Sequence, residues 1–221
     1  MTDPDTFIKG CKKYHAIKPK EISYAAARYI LKENPADINR IIASAKIYVY
    51  IDQDRDFEKI SRQARKHFEE EVIRSYNECK EDLEKLSNKN LVEIDLEKYE
   101  ILIRRIFSTF SIMPSIKHTS AAKILHLINP NMFMVWDTEI RRAFFKMDRS
   151  VRNPAKFYLM FLRKSQYAAK LLLEKRTQKA LWLEHKQFMN DNFVRSFDYE
   201  ETVLKMLDEC NYVHLHRKLE F

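Results

Sequence analysis

A single glycine is the feature that most restricts the fold of this chain. Gly10 is the only glycine among 221 residues, and proline is also sparse, at six. Tight hairpins and left-handed turns usually require glycine, because other residues incur a steric penalty at positive φ. The composition therefore disfavours a β-rich fold, and the many Leu, Ile, Lys, Glu and Ala residues favour helices. We predict an all-α protein.

Hydrophobic periodicity divides the chain into amphipathic helical segments. Apolar residues recur at steps of three and four from Asp54 to about Leu86, which places Cys79 on the apolar face. The run Ile47–Ile51 also fits a short strand, and we assign it to a helix. Residues 1–20 fit either a loose arm or a short helix, and residues 211–221 fit a strand-like strap. Further helices are predicted near 21–32, 38–45, 95–110, 119–128, 138–147, 154–172, 177–189 and 198–207.

Capping residues mark several of these helix starts. A polar side chain just before a helix accepts hydrogen bonds from the free N–H groups of the first turn. Pro154 at a first helical position and Glu201 in a capping box strengthen two of the predicted starts. The predicted caps are Asp37, Asp95, Asp137, Asn153 and Asp198.

Charge points to an anionic partner. The chain carries a net charge of +8 with a pI near 9.2, and it has no glycine-rich loop that would cradle a nucleotide phosphate. Nucleic acid is the partner that this balance favours. No apolar run approaches the length of a membrane span, and the N-terminus lacks the apolar core of a signal peptide. We therefore expect a soluble cytoplasmic protein without a membrane partner.

No low-complexity linker divides the chain, so we treat residues 1–221 as one all-helical domain with room for two lobes. The oligomeric state is left open by the sequence. The long helix predicted from Asp54 would also suit a dimer, although its steps of four depart from a strict heptad.

Cysteine usage indicates neither disulfides nor a metal centre. The three cysteines are Cys11, Cys79 and Cys210. Their odd number and wide spacing give no disulfide framework, and they are too few to ligate a four-iron cluster through four thiolates. Cys11 lies near His15, and Cys210 lies near His214 and His216, but neither group contains the CxxC pair of common zinc sites. We assign no metal and no cofactor.

The stretch from Met113 to Phe144 contains the candidate functional residues. Projected at about 100° per residue, Thr119, Lys123 and His126 share one helix face, opposite an apolar face. The turn before this helix is rich in hydrogen-bond donors, and a helix N-terminus attracts phosphate. Asp137 then opens the next helix, which would hold its carboxylate in a fixed position. An ordinary capped surface helix is the alternative interpretation.

The order of these residues resembles the helix-hairpin-helix DNA glycosylase superfamily, in particular the endonuclease III and adenine glycosylase group. In that superfamily, a hairpin of the type L-P-G-V-G precedes a helix, and the catalytic aspartate lies in V-D-T-H-I. The matching segments here are 113–117, MPSIK, and 136–140, WDTEI. The interval from Thr119 to Asp137 also matches the interval between the lysine of bifunctional members and the aspartate.

The resemblance implies a two-lobed helical bundle with its helix-hairpin-helix core at about 95–150. It further implies binding to duplex DNA, extrusion of a damaged base and hydrolysis of its N-glycosidic bond. Asp137 would stabilise the positive charge that develops on the sugar or would activate water. The expected DNA contacts are Ser115, Lys117, His118, Thr119, Ser120, Arg141 and Arg142, and the expected pocket residues are His126, Phe133 and Trp136. The pocket residues also fit a packed core.

The chain departs from the family pattern at three positions. Ser115 and Lys117 replace both hairpin glycines, and Thr119 occupies the position of the Schiff-base lysine. The pattern is therefore more similar to a monofunctional glycosylase, with Lys123 as the candidate amine if a lyase step exists. Two alternatives stay open: a non-catalytic nucleic-acid-binding module that keeps the fold, and a helical interaction or dimerisation protein.

Overall fold

The computed structural model describes residues 3–17, 23–51, 61–146, 153–187 and 202–216, and these residues are all-α. A π-helical turn, Ile47–Ile51, continues the third helix, and no strand occurs in the described ranges. Within them lie ten α-helices: α1 (Pro4–Ile17), α2 (Ser23–Leu31), α3 (Ile38–Lys46), α4 (Arg62–Leu86), α5 (Glu100–Ser111), α6 (Lys117–Ile128), α7 (Thr138–Phe145), α8 (Pro154–Lys175), α9 (Gln178–Lys186) and α10 (Val203–His216). The all-α prediction is confirmed.

The chain ends differ most from the sequence-based expectations. Of the two interpretations of the first twenty residues, the helix is the one observed, as α1. The strand-like strap is wrong for residues 211–216, which belong to α10. Asp198 and Glu201, the predicted capping box, lie outside the described residues. The Oγ1 atom of Thr202 accepts a hydrogen bond from the N–H of Lys205 at 3.2 Å and caps this helix.

Most of the predicted caps act as expected. Asp37 accepts hydrogen bonds from the first turn of α3, and Asn153 does so for α8. Asp95 is the exception, because its carboxylate binds the N–H groups of Glu97 and Lys98 in a turn, and α5 begins only at Glu100. A capping side chain can satisfy an isolated turn as well as a helix, which is why the sequence placed this start too early.

One connected cluster of buried apolar residues extends from Phe7 in α1 to Cys210 in α10. The apolar stripe of α4 faces this cluster, and Cys79 is buried in it, as predicted. Helices α4, α6 and α8 pack around α5, whereas α10 packs against α1, α7, α8 and α9. No helix in the described ranges is both long enough and apolar enough to cross a membrane.

Asn129 fixes the connection between α6 and α7. Its amide nitrogen donates to the carbonyl oxygens of Leu86, at 2.8 Å, and of Lys89, at 3.3 Å, just beyond the end of α4. Its own backbone carbonyl accepts from the N–H of Phe133 at 3.0 Å. The buried side chain of Asn129 therefore ties the start of the segment that leads to Asp137 to the C-terminal end of α4.

We expect Asn129→Asp to lower the free energy of unfolding by about 2–4 kcal/mol, because it places an acceptor where carbonyl oxygens need a donor. Urea unfolding followed by circular dichroism measures the change. Asn131→Asp is the matched control, since its side chain is exposed, and it should shift the midpoint little. Equal midpoints for the two variants would contradict the role assigned to Asn129.

Candidate nucleic-acid interface and catalytic site

The hairpin between α5 and α6 contains a left-handed residue. The carbonyl of Met113 accepts hydrogen bonds from the N–H groups of Ile116, at 3.1 Å, and Lys117, at 3.0 Å. Lys117 has φ 52°, in a region that costs a non-glycine residue roughly 1–2 kcal/mol. This is the position of the second hairpin glycine in the helix-hairpin-helix pattern. The backbone thus adopts the conformation that glycine favours, although the residue is lysine.

An acidic side chain already contacts the hairpin. The N–H of Ser115 donates to Oε2 of Glu71, in α4, at 2.8 Å. Ser115 is exposed and Glu71 is half-buried. The N–H of Ser115 therefore points to a position that an anion can occupy. A phosphate that binds there has to displace the carboxylate of Glu71.

Arg141 joins the hairpin helix to the helix that follows Asp137. Its guanidinium donates to Oγ1 of Thr119 at 3.1 Å and to the carbonyl of Trp136 at 3.1 Å. It also donates to Oγ1 of Thr138 at 2.8 Å. Burial lowers the pKa of Arg141, and the neighbouring charge of Asp137 opposes that shift. Arg141 was expected to contact DNA, but it is buried and connects α6 with α7 instead.

Asp137 lies where the sequence placed it, as the N-cap of α7. Its Oδ1 accepts a hydrogen bond from the N–H of Ile140 at 2.7 Å, and the side chain is half-buried. One carboxylate oxygen is thus held by the backbone of a helix start, which fixes the direction of the group.

The polar face predicted for α6 does not lie in solvent. Ala121, Ile124 and Leu125 are buried as expected, but the side chains of Lys123 and His126 are buried as well. The ammonium of Lys123 donates to the carbonyl of Tyr48 at 3.3 Å and lies 4.7 Å from the centre of the Tyr48 ring. The helical projection placed these side chains on one face of α6. It could not show that α2, α3 and the π-helical turn cover that face.

His126 is a neutral histidine that fixes two neighbouring segments. Its Nδ1 lies 2.6 Å from the carbonyl oxygen of Phe133, which can only accept, so Nδ1 carries the hydrogen. Its Nε2 then accepts from the hydroxyl of Tyr24 at 3.0 Å. Burial, together with the positive charges of Lys205 and Arg28, lowers the pKa of His126 to about 3.

The two predicted pocket aromatics are core residues. Phe133 and Trp136 are completely buried. Trp136 packs against Phe107 and Tyr158 with ring centres 5.6 Å and 5.5 Å away. Its Nε1 atom has no hydrogen-bond partner among the described residues.

The remaining candidate contacts differ in exposure. Ser115, Lys117 and Arg142 are exposed, His118 and Thr119 are half-buried, and Ser120 is buried. The guanidinium of Arg142 lies 2.6 Å from Glu139. Burial and the nearby charge of Arg141 lower the pKa of His118. Among these seven candidates, the exposed ones therefore lie in the hairpin, at Ser115 and Lys117, and on α7, at Arg142.

The structure adds a carboxylate that the sequence analysis missed. Asp208, in α10, has its pKa raised to about 7 by burial and by the negative charges of Asp137 and Glu209, while Lys205 and Lys123 oppose the shift. Asp208 and Asp137 thus belong to one electrostatic cluster. The missed signal was the spacing of Lys205, Asp208 and Glu209, which places both carboxylates one turn after the lysine. The helix predicted there ends at Leu207, one residue before Asp208.

Comparison with protein-family models, with curated proteins and with solved structures finds no match to this chain.

The depressed pKa of His126 predicts a loss of stability in acid. Between its folded pKa of about 3 and its ordinary value near 6.5, the unfolded chain binds the proton more readily. Stability is therefore full above about pH 6.5 and falls as the pH drops toward 3. Between pH 6.5 and 4.5, the unfolding free energy of the wild type should fall by roughly 2–3 kcal/mol more than that of His126→Gln.

Urea titrations at both pH values measure this difference, and His67→Gln, at an exposed histidine, should keep the wild-type slope. A wild-type slope in His126→Gln would refute the prediction.

The contact between Glu71 and Ser115 predicts that removing the carboxylate strengthens DNA binding. We expect Glu71→Gln to bind duplex DNA roughly two- to fivefold more tightly, because phosphate no longer competes with a carboxylate at the hairpin amide. Fluorescence anisotropy at low salt measures the affinity. Glu70→Gln makes the same charge change one residue away, where Glu70 pairs with Lys66. If both variants bind equally well, general charge and not the hairpin contact explains the gain.

Proposed function

We propose that this protein binds duplex DNA through the hairpin between α5 and α6 and hydrolyses the N-glycosidic bond of an extruded damaged base with Asp137. The observation that carries this proposal is the left-handed backbone of Lys117 at φ 52°. Glycine, the residue at this position in the resembling superfamily, adopts a positive φ readily, and the position precedes a helix-capping aspartate, as it does in that pattern.

The DNA contacts are provided by groups that face solvent. The N–H of Ser115 and the side chains of Lys117 and Arg142 lie on exposed residues, and phosphate contacts of this kind set position without reading sequence. Arg141 acts indirectly, because its hydrogen bond to Thr119 holds α7 against the hairpin helix. Binding by phosphate contacts should weaken steeply with salt.

Asp137 is suited to the chemical step by its fixed orientation. A carboxylate held by the N–H of Ile140 can stabilise the positive charge that develops on the sugar, or orient an attacking water, without reorganising. Asp208 is a second carboxylate close enough to Asp137 for their charges to interact. It helps to set the electrostatic potential around the reacting sugar.

A hydrolytic, monofunctional reaction fits the remaining groups better than a Schiff base. Thr119 stands at the lysine position of bifunctional members, and its hydroxyl is bonded to Arg141. Lys123 is buried and donates to Tyr48. Its ammonium is committed to a structural contact, so we assign it a positioning role.

A non-catalytic DNA-binding module is the second candidate. The burial of Phe133 and Trp136 favours it, because neither ring is open to stack on an extruded base in this conformation. A dimer through the apolar stripe of α4 is less well supported, since that stripe packs into the core of the chain itself.

The decisive experiment compares Asp137→Asn with the wild type on duplexes that contain uracil, hypoxanthine, 8-oxoguanine or an alkylated base. Asparagine keeps the helix cap but removes the charge, so we expect abasic-site formation to fall by about 10²–10⁴-fold while duplex affinity is retained. Asp37→Asn makes the same change at the cap of α3 and should keep full activity.

The other outcomes separate the candidates. Salt-dependent DNA binding without abasic product from any lesion would reject the glycosylase proposal and support the non-catalytic binding module. A borohydride-trapped adduct that disappears in Lys123→Ala would assign a lyase step and contradict the monofunctional reaction. Absence of DNA binding at low salt would reject both candidates.

A further inference from the structure

Three helices bring together four side chains of the types that bind transition metals. They are Cys11 and His15 of α1, His185 of α9 and Glu209 of α10. A ligand atom from each of Cys11, His185 and Glu209 lies within 4.8 Å of the other two. His15 follows Cys11 by one helical turn, so both side chains lie on one face of α1. This cluster lies on a different face of α10 from Asp208, since successive residues are about 100° apart.

Three of the ligand atoms form a close triangle. The Nε2 atoms of His15 and His185 lie 3.0 Å apart. Oε2 of Glu209 lies 2.7 Å from Nε2 of His185 and 3.3 Å from Nε2 of His15. In a tetrahedral zinc site, nitrogen and oxygen ligands at 2.0–2.2 Å from the metal are about 3.3 Å from one another. The observed triangle needs only small adjustments to reach that geometry.

Hydrogen bonding leaves one unfavourable contact in this triangle, whichever nitrogen carries a hydrogen. If Nε2 of each histidine carries a hydrogen, both can donate to Oε2 of Glu209, but the two N–H groups then lie only 3.0 Å apart with like partial charges. If Nε2 of His185 carries no hydrogen, its lone pair faces a carboxylate oxygen at 2.7 Å. A cation bound between these two nitrogens and the carboxylate oxygen would attract all three atoms.

The surroundings match those of a structural metal site. Cys11, His185 and Glu209 are almost completely buried, and His15 is 8% exposed. Lys205 donates to Oε1 of Glu209 at 3.1 Å, which leaves Oε2 for the histidines. Ligating carboxylates are commonly oriented by such an outer hydrogen bond. A thiolate and a carboxylate together neutralise a divalent cation.

We propose that Cys11, His15, His185 and Glu209 bind one zinc ion that clasps α1 to α9 and α10. A set of two imidazoles, one thiolate and one carboxylate suits zinc, and four protein ligands complete its coordination. The site is thus structural, and binding would release the thiol proton of Cys11, whose sulfur now lies 3.6 Å from the carbonyl of Met206.

Cobalt(II) is the spectroscopic probe for this proposal. The full chain is freed of metal with a chelator, titrated with Co²⁺ and then challenged with Zn²⁺. We expect one Co²⁺ per chain, the visible d–d bands of a tetrahedral site and a thiolate-to-cobalt charge-transfer band that Zn²⁺ abolishes. Zinc in excess should also raise the melting temperature by roughly 5–10 °C, because it binds the folded state alone.

Matched variants test the ligand assignment. Cys11→Ser should lose the charge-transfer band, whereas Cys79→Ser, at a buried cysteine of α4, should keep it. His15→Gln retains the thiolate and should bind Co²⁺ at least about tenfold more weakly, and this variant decides the matter if Cys11→Ser does not fold. A wild-type chain that folds but shows no charge-transfer band would overturn the proposal, and so would a band that persists in Cys11→Ser.

Discussion

The buried ion pair between Lys205 and Glu209 is the interaction on which the arrangement of α10 depends. Both side chains are about 1% exposed, and the ammonium lies 3.1 Å from Oε1 of Glu209. Burying two charges is costly unless further groups compensate. The rings of Tyr14 and Tyr24 lie 5.3 Å and 5.0 Å from the ammonium, and His185 contacts the other carboxylate oxygen. This one pair therefore couples the N-terminal helices to α10.

The same helix connects the two candidate sites. Asp208 lies within the electrostatic reach of Asp137, and Glu209 lies among Cys11, His15 and His185. Asp208 and Glu209 face different sites because adjacent side chains on a helix point about 100° apart. A change that loosens α10 should therefore disturb both the Asp137–Asp208 pair and the group formed by Cys11, His15, His185 and Glu209.

Two opposite charges meet at the hairpin between α5 and α6. Lys117 has a left-handed backbone that glycine would adopt without a steric penalty, and it adds a positive charge to an exposed turn. Glu71 contacts the amide of Ser115 and has the opposite electrostatic effect. The electrostatic potential at the hairpin is thus set by two opposing charges, so that a change in either one alters its attraction for an anion.

The sequence by itself determined the helical class, most helix boundaries and the role of Asp137 as a cap. The scarcity of glycine sets the helical class, and periodicity and capping depend on residues that are neighbours in the sequence. Only the tertiary structure decided what surrounds each helix face. Lys123 and His126 are buried, and Arg141, which was expected to contact phosphate, is hydrogen-bonded to Thr119 of the neighbouring helix. The negative charge of Asp137 contributes to the raised pKa of Asp208. The tertiary structure also brings together Cys11, His15, His185 and Glu209 from α1, α9 and α10. Helical spacing fixes the angle of a side chain on its own helix, but the partner on that face is chosen by long-range packing.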